Sequence, residues 1–185
     1  MTAGPDWLPE PAWPVRGRTT EWSNPFFDAG TDTVERPDGT LADYYWIEPT
    51  DVATTVAVDD GAVVFVEQYR PRPRDRTLEL PTGGVDTGET PAEAAIRELR
   101  EETGYRADSV THVETYLPSG WVRARRHVFV AEGLTAGAPD LDDGEHIETR
   151  RVPLDDAIET VRSDNSLTAE WAVTPLLLAR EDGLL

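Results

Sequence analysis

Two kinds of apolar spacing run through this chain, one with the period of a strand and one with the period of a helix. Val52 to Val58 and Ala62 to Tyr69 are rich in β-branched residues, and Asp59-Asp60-Gly61 between them has hairpin-turn composition. Two earlier runs, at 26–36 and 41–48, flank the turn signal Pro37-Asp38-Gly39-Thr40. A stiff basic loop, Arg70 to Arg76, precedes a short strand around Thr77 to Leu80. Pro81-Thr82-Gly83-Gly84 breaks that strand and opens a loop ending near Thr90. Further strands are expected at 109–117, 126–134 and 146–152, the last preceded by a flexible acidic stretch, Gly137 to Gly144. Helices are expected at 91–103, from Pro153 through Ile158, and at 168–180.

The first 24 residues carry four Pro and three Trp (Trp7, Trp13, Trp22) with little periodicity, and read as an extended arm. Large rings on such an arm need a surface to lie on, in the same chain or in a partner subunit. The sum is an α+β fold, a mostly antiparallel sheet with a few helices against it. We divide it into an arm with strands over 1–50 and a main domain over 51–185.

The helix at 91–103 has well-marked ends. Thr90 can act as N-cap, Pro91 takes the first helical position, and Glu93 completes a capping box. Gly104 stands where a left-handed cap is wanted. Ala92, Ala95, Ile96, Leu99 and Thr103 form the expected buried stripe.

Composition changes the picture in three ways. The chain has 185 residues, enough for one domain with a short extra segment, and a net charge of −19. Its 17 basic residues are all Arg, and an acidic surface without Lys suits concentrated salt. Such a charge repels nucleic-acid phosphates, so no nucleic-acid partner is expected. There is no Cys, which excludes disulfides, thiolate metal sites and cysteine nucleophiles. No apolar run approaches the roughly 18 residues of a membrane helix, and the N-terminus lacks a signal-peptide pattern. A cytoplasmic protein with no membrane partner is expected.

Candidate chemistry lies on the polar side of the 91–103 helix. Glu98, Glu101 and Glu102 fall within a sector of about 100°. Like charges so spaced cost a helix roughly 0.2–0.5 kcal/mol per pair, and neither Lys nor His relieves them. Arg97, four residues before Glu101, can orient that carboxylate. Three carboxylates with one Arg brace make an oxygen-ligand nest suited to Mg²⁺ or Mn²⁺. His112, His127 and His146 are too scattered for a zinc site, and no Ser-His-Asp signature, P-loop or dinucleotide fingerprint is present.

Gly83, Glu89, Arg97-Glu98-Leu99, Glu101-Glu102, Gly104 and Tyr105 together resemble the Nudix box at every fixed position. The resemblance implies an α/β/α sandwich with a mixed, largely antiparallel sheet, plus the N-terminal arm and strands. It also implies divalent-metal hydrolysis of a nucleoside diphosphate linked to another group. Glu98 and Glu102 would be the main metal ligands, with Glu101 supporting them or holding a further ion. Arg97 would brace them and Glu89 would hold the loop or a metal-bound water.

The flanks are similar to the ADP-ribose pyrophosphatase branch of that family. They are Gln68-Tyr69-Arg70, then Glu79-Leu80-Pro81-Thr82-Gly83, with Asn24-Pro25-Phe26-Phe27 and Pro37-Asp38-Gly39 nearer the start. Thr82 replaces the usual Ala at a position that ligates metal through its backbone carbonyl. The Pro this branch carries beyond its box has a shifted counterpart in Pro118. Arg70, Glu79 and Gly83 would meet the substrate, with Trp46 or Trp121 as stacking partners for the base. The branch often draws a catalytic carboxylate from a later loop, here Asp142-Asp143-Gly144-Glu145-His146-Ile147-Glu148. We expect Glu145 as metal ligand or general base, with Asp143 as its fallback. The branch also implies a homodimer built through the N-terminal strands.

The expected reaction is therefore hydrolysis of ADP-ribose, or a similar nucleoside diphosphate sugar, to AMP and ribose 5-phosphate. The alternatives are other Nudix pyrophosphatases, acting on nucleotide sugars, dinucleotide polyphosphates or nucleoside triphosphates, and a module that senses ADP-ribose without cutting it.

Overall fold

The computed structural model describes residues 7, 12–141, 144–164 and 168–185. The chain falls into two compact units. One comprises Met1–Asp51 with Leu117–Arg125, and the other Val52–Tyr116 with Arg126–Leu185.

The first unit is a three-stranded antiparallel sheet of β1 (Val15–Ser23), β2 (Phe27–Glu35) and β3 (Leu41–Pro49). Strand β1 lies inside the segment expected to be an extended arm. Two register shifts, between Val15 and Gly17 and between Thr20 and Trp22, break its two-residue period, so alternation could not reveal it. The Leu117–Arg125 segment joins this unit by hydrogen bonds from Ile47 N to Trp121 O and from Arg123 N to Ile47 O. Beneath them Asp32 is buried and accepts from Arg18, Arg123 and the Trp46 indole. Burial raises the Asp32 proton affinity, but the two guanidinium groups prevail and hold it below the ordinary range. Trp46 is itself buried between those guanidiniums, with cation–π distances of 5.6 and 4.8 Å, and so offers no face to a base.

The second unit contains β4 (Val52–Asp59), β5 (Ala62–Arg70), β6 (Asp75–Glu79), β7 (Thr82–Gly84), α1 (Pro91–Thr103) and β8 (Ser109–Tyr116). It continues through β9 (Arg126–Glu132), β10 (Ile147–Pro153), α2 (Ala157–Asp164) and α3 (Glu170–Glu181). Its sheet runs β10-β5-β4-β9-β8, with β6 paired to β5 and β7 to β4. The β4–β9 pair is parallel and the others antiparallel.

Alternating residues of the strands supply both faces. Val56, Phe65, Leu78, Leu80, Val130 and Val152 pack with Val161 of α2 and Leu176 of α3. Ala53, Ala57, Val64 and Phe129 pack on the other face with Ala94, Ala95 and Leu99 of α1. Each fully buried Leu or Phe here contributes roughly 1.5–3 kcal/mol. The result is the expected α/β/α layering with a mixed sheet. No helix among the described residues is long and apolar enough to cross a membrane.

One detail positions the site. Strand β5 pairs with β4 only at the hairpin end, Val58 with Val63 and Asp59 with Ala62. At the other end of β4, Val52 to Thr54 pair with Gly84 to Thr82 instead. The Pro81–Gly84 segment, expected as the opening of a loop, therefore begins as the short strand β7. It fits into the opening where β5 leaves β4, and Thr55 N donates to Pro81 O at 2.9 Å.

Candidate active site

Helix α1 begins and ends as its sequence requires. Thr90 and Glu93 form a complete capping box, and Gly104 closes the helix at φ 77° with its N–H on Arg100 O. The buried side of the helix differs from the expected stripe. Ala94, Ala95, Leu99, Glu102 and Thr103 are buried, while Ala92 and Ile96 are only partly so. A carboxylate thus occupies the inner face, 5% exposed, where helical spacing alone would place an apolar residue.

Glu102 Oε2 accepts from Thr82 N at 3.0 Å. Desolvation pushes its proton affinity up, to a pKa of about 8, against the stabilising Thr82 N–H; the charges of Glu98 and Glu145 push in the same direction. Glu98 is raised too, first by burial and then by Glu101 and Glu145, with Arg97 opposing. Its carboxylate rests on the backbone of Gly83, in the space a Cβ would fill. That is a physical reason for glycine at the first fixed position of the motif.

Arg97 organises the loop and the helix together. Its Nε and Nη2 each donate to Glu89 at 2.9 Å, and Nη2 also reaches Gly84 O at 2.8 Å. Nη1 donates to Glu98 at 2.6 Å and to Glu101 at 3.2 Å. These bonds hold Glu89 below the ordinary carboxylate range and drive the arginine's own proton affinity up. Glu89 in turn accepts from Asp86 N, which closes the loop onto the helix.

On the sheet side Arg70 directs its fork at Glu79, with Nε–Oε1 at 2.9 Å and Nη2–Oε2 at 2.7 Å. The fork expected to face a phosphate is taken up by this buried carboxylate. Arg70 nevertheless stands in the fields of Glu102 and Glu145, which add to the raised affinity that Glu79 gives it. Glu145 is exposed and follows Gly144, whose φ is 94°. The stretch leading to it is tied down at its start. Gly137 packs against Gly104, and Asp140 N donates to Glu101 O at 2.9 Å. Asp142 and Asp143 lie outside the described residues. Glu148 is exposed and receives Arg76 Nη2 at 3.5 Å.

Thus Glu98, Glu102, Glu145 and Arg70 share one electrostatic neighbourhood, with Thr82 and Gly83 at its floor and Arg97, Glu89 and Glu101 along one side. Trp121 belongs to the other unit. Among the described residues, no three His, Asp or Glu side chains already surround one point, because Arg97 draws Glu98 and Glu101 to itself. The donor set is all oxygen and suits a hard divalent cation. A desolvated Glu102 beside further carboxylates is stabilised by positive charge, so these residues fit such an ion. Sequence reasoning did not single out Thr54, whose buried hydroxyl lies 3.0 Å from that of Thr82.

Comparison with known proteins identifies the family. A family model described as the NUDIX domain matches residues 48–172. A Bacillus subtilis protein named ADP-ribose pyrophosphatase is 33% identical over 168 residues, spanning 88% of this chain and 90% of that one. A Streptomyces rubellomurinus protein, named CMP-5'-(N-acetyl-N-hydroxy-3-aminopropyl)phosphonate hydrolase, is 34% identical over 87% of this chain and 79% of its own. Among solved structures, one titled as an ADP compounds hydrolase superposes with a TM-score of 0.81 at 23% identity. It covers 93% of this chain and 95% of that one, and shows a shared fold.

Proposed function

The chain belongs to the Nudix family, and from that premise we propose that it is a metal-dependent hydrolase of ADP-ribose or a similar nucleoside diphosphate sugar. The products are AMP and ribose 5-phosphate when ADP-ribose is the substrate. The single observation that carries this reading is the buried Glu102 carboxylate, desolvated among Glu98 and Glu145 and held by the Thr82 N–H. Such a group serves no packing purpose; it serves a cation.

Nudix hydrolases use a divalent metal, and we assign Mg²⁺ or Mn²⁺ here. Glu98 and Glu102 are its main ligands, Glu101 and the Thr82 carbonyl its supporting ones, and Glu145 a further ligand or the base. When bound, the metal neutralises the diphosphate and makes phosphorus open to attack by water. Arg97 keeps Glu98 and Glu101 aimed while both are charged. Gly83 leaves room for the Glu98 carboxylate and for close approach of the diphosphate. Glu79 holds Arg70 beside the site, where the guanidinium adds positive charge toward the substrate. Glu145, on the loop side, accepts the proton of the attacking water.

In the first unit, Trp22, Phe26, Tyr45 and Trp121 are exposed apolar rings, and this supports a homodimer formed through that unit. The relatives motivate the choice among nucleotide substrates. ADP-ribose, other nucleoside diphosphate sugars, a dinucleotide polyphosphate, a nucleoside triphosphate and a CMP-linked phosphonate form the test panel. It is run in high salt with Mg²⁺ or Mn²⁺, and products are read by chromatography. Preferred, metal-dependent release of AMP from ADP-ribose is expected. A preference for another member of the panel would replace the substrate, and binding of ADP-ribose without turnover would point to a sensing module.

A further inference from the structure

Thr82 stands where the related branch has Ala, and its hydroxyl is the end of a chain of hydrogen bonds that starts at Arg126. Arg126 Nη1, on β9, donates to Thr54 Oγ1 of β4 at 3.3 Å. Thr54 is fully buried, and its Oγ1 lies 3.0 Å from Thr82 Oγ1. Thr82 Oγ1 lies 2.9 Å from Leu80 O. Each hydroxyl carries one proton and the Leu80 carbonyl can only accept. One arrangement satisfies every group. Arg126 donates to Thr54, Thr54 donates to Thr82, and Thr82 donates to Leu80 O.

This chain clamps the Leu80–Thr82 turn from inside. Thr55 N takes the Pro81 carbonyl at 2.9 Å, so the carbonyls on both sides of the turn's centre are held. What remains is the Thr82 N–H, directed at Glu102 Oε2. In a buried, low-dielectric setting a donor chain headed by a guanidinium is stiff, and loss of one member leaves the others unsatisfied.

We propose that Thr54 and Arg126 are positioning residues of the metal site: by fixing the Thr82 peptide they set the orientation of Glu102. The inference rests on the reading of Glu102 as a metal ligand given above. Both residues act through Thr82 and touch neither substrate nor metal. In this light Thr82 is no neutral replacement for Ala, because it supplies the hydroxyl through which β4 and β9 reach the ligand.

The test is Mn²⁺ binding, measured by electron paramagnetic resonance on the full chain without substrate. Melting in chelator serves as the check on folding. Loss of an outer partner typically weakens a metal site about 10–100-fold, and we expect Thr54→Val to weaken Mn²⁺ binding about tenfold. Thr54→Ser, which restores the hydroxyl, is expected to bind within about twofold of wild type. In a Thr82→Ala background the chain is already cut, so adding Thr54→Val should change little. Should Thr54→Val fold poorly, Arg126→Gln removes the head of the chain from its accessible end, and weaker Mn²⁺ binding is expected there too. Wild-type Mn²⁺ affinity in folded Thr54→Val, or equal losses in both backgrounds, overturns the proposal. Glu102→Gln separates the two levels. If it binds Mn²⁺ like wild type, the metal-site reading itself is wrong; if it alone loses Mn²⁺, only the positioning role is.

Discussion

The Glu98 carboxylate occupies the space beside Gly83 that any other residue would fill with its Cβ. The carboxylate is held there by Arg97 at 2.6 Å, so it cannot swing away without losing its ion pair. Gly83→Ala is therefore expected to displace Glu98 and weaken metal affinity by about 10–100-fold. Stability should change little, because the displaced group is a partly exposed side chain. Isothermal titration with Mn²⁺ checks this, and an unchanged affinity would mean that Glu98 is not a ligand.

Glu102 makes metal-free stability depend on pH. Its folded pKa, about 8, is above its ordinary 4.5, so between those values the folded state holds a proton that the unfolded state has lost. From this group, stability is highest below pH 4.5 and falls as pH rises toward 8. Glu98 acts in the same direction, whereas Glu89 and Asp32, held low, lose their contribution only in more acidic solution. In chelator, chemical denaturation should show a decline on the order of a few kcal/mol between pH 5 and 8. Glu102→Gln should flatten that slope and cost turnover several orders of magnitude. A slope that survives in the variant would assign the effect elsewhere.

Arg97 makes five hydrogen bonds, two to Glu89 and one each to Glu98, Glu101 and Gly84 O. A lysine keeps the charge but has no planar fork to span loop and helix. We expect Arg97→Lys to lower kcat/KM about 100-fold, with added Mn²⁺ recovering part of it, since ligand orientation is what was lost. Failure of the metal to recover any activity would argue for a direct role in binding substrate.

The ends of α1 and the clustering of carboxylates along it were legible because capping and motif chemistry are local. Thr90, Glu93 and Gly104 interact within one or two turns, and the box residues keep fixed spacing. The inward turn of Glu102 was not legible from apolar spacing, because the residue buried there is a carboxylate. Strand β7 was hidden for a different reason. Gly83 and Gly84 carry no strand propensity, and they pair because β5 leaves β4 at that point. The Arg70–Glu79 fork runs diagonally between β5 and β6, where Arg70 is paired with Asp75 and Glu79 with Val66, and the Thr54–Thr82 contact joins paired residues of β4 and β7; register comes from the whole sheet rather than from either segment.

Salt should stabilise the protein. Surface ion pairs such as Arg76 and Arg150 on Glu67 are worth only about 0–1 kcal/mol each. Screening therefore removes little attraction, while it relieves the repulsion of a net charge of −19. A gain of about 2 kcal/mol would raise Tm by roughly 4–8 °C in a chain of this size. Differential scanning from low to molar KCl checks this, and a flat Tm would show that the excess acidity is already neutralised within the fold.

Catalysis should depend on a carboxylate outside the helix. Glu98, Glu101 and Glu102 are committed to Arg97, to Thr82 and to one another's fields, which suits ligands better than a base. Glu145 is exposed, yet its charge raises the proton affinity of both Glu98 and Glu102, so it lies within reach of their electrostatics. The stretch before it is anchored to α1 through Asp140 N on Glu101 O. A group that takes a proton in the transition state affects kcat more than KM, by about 10²–10⁴-fold. Steady-state kinetics of Glu145→Gln should show that split. If Glu145→Gln is near wild type while Asp143→Asn or Glu148→Gln is crippled, the loop still supplies the base and the assignment moves within it. Full activity in all three variants would return the role to the helix, where Glu101, held only at the surface by Arg97 and Arg100, is the carboxylate able to take it.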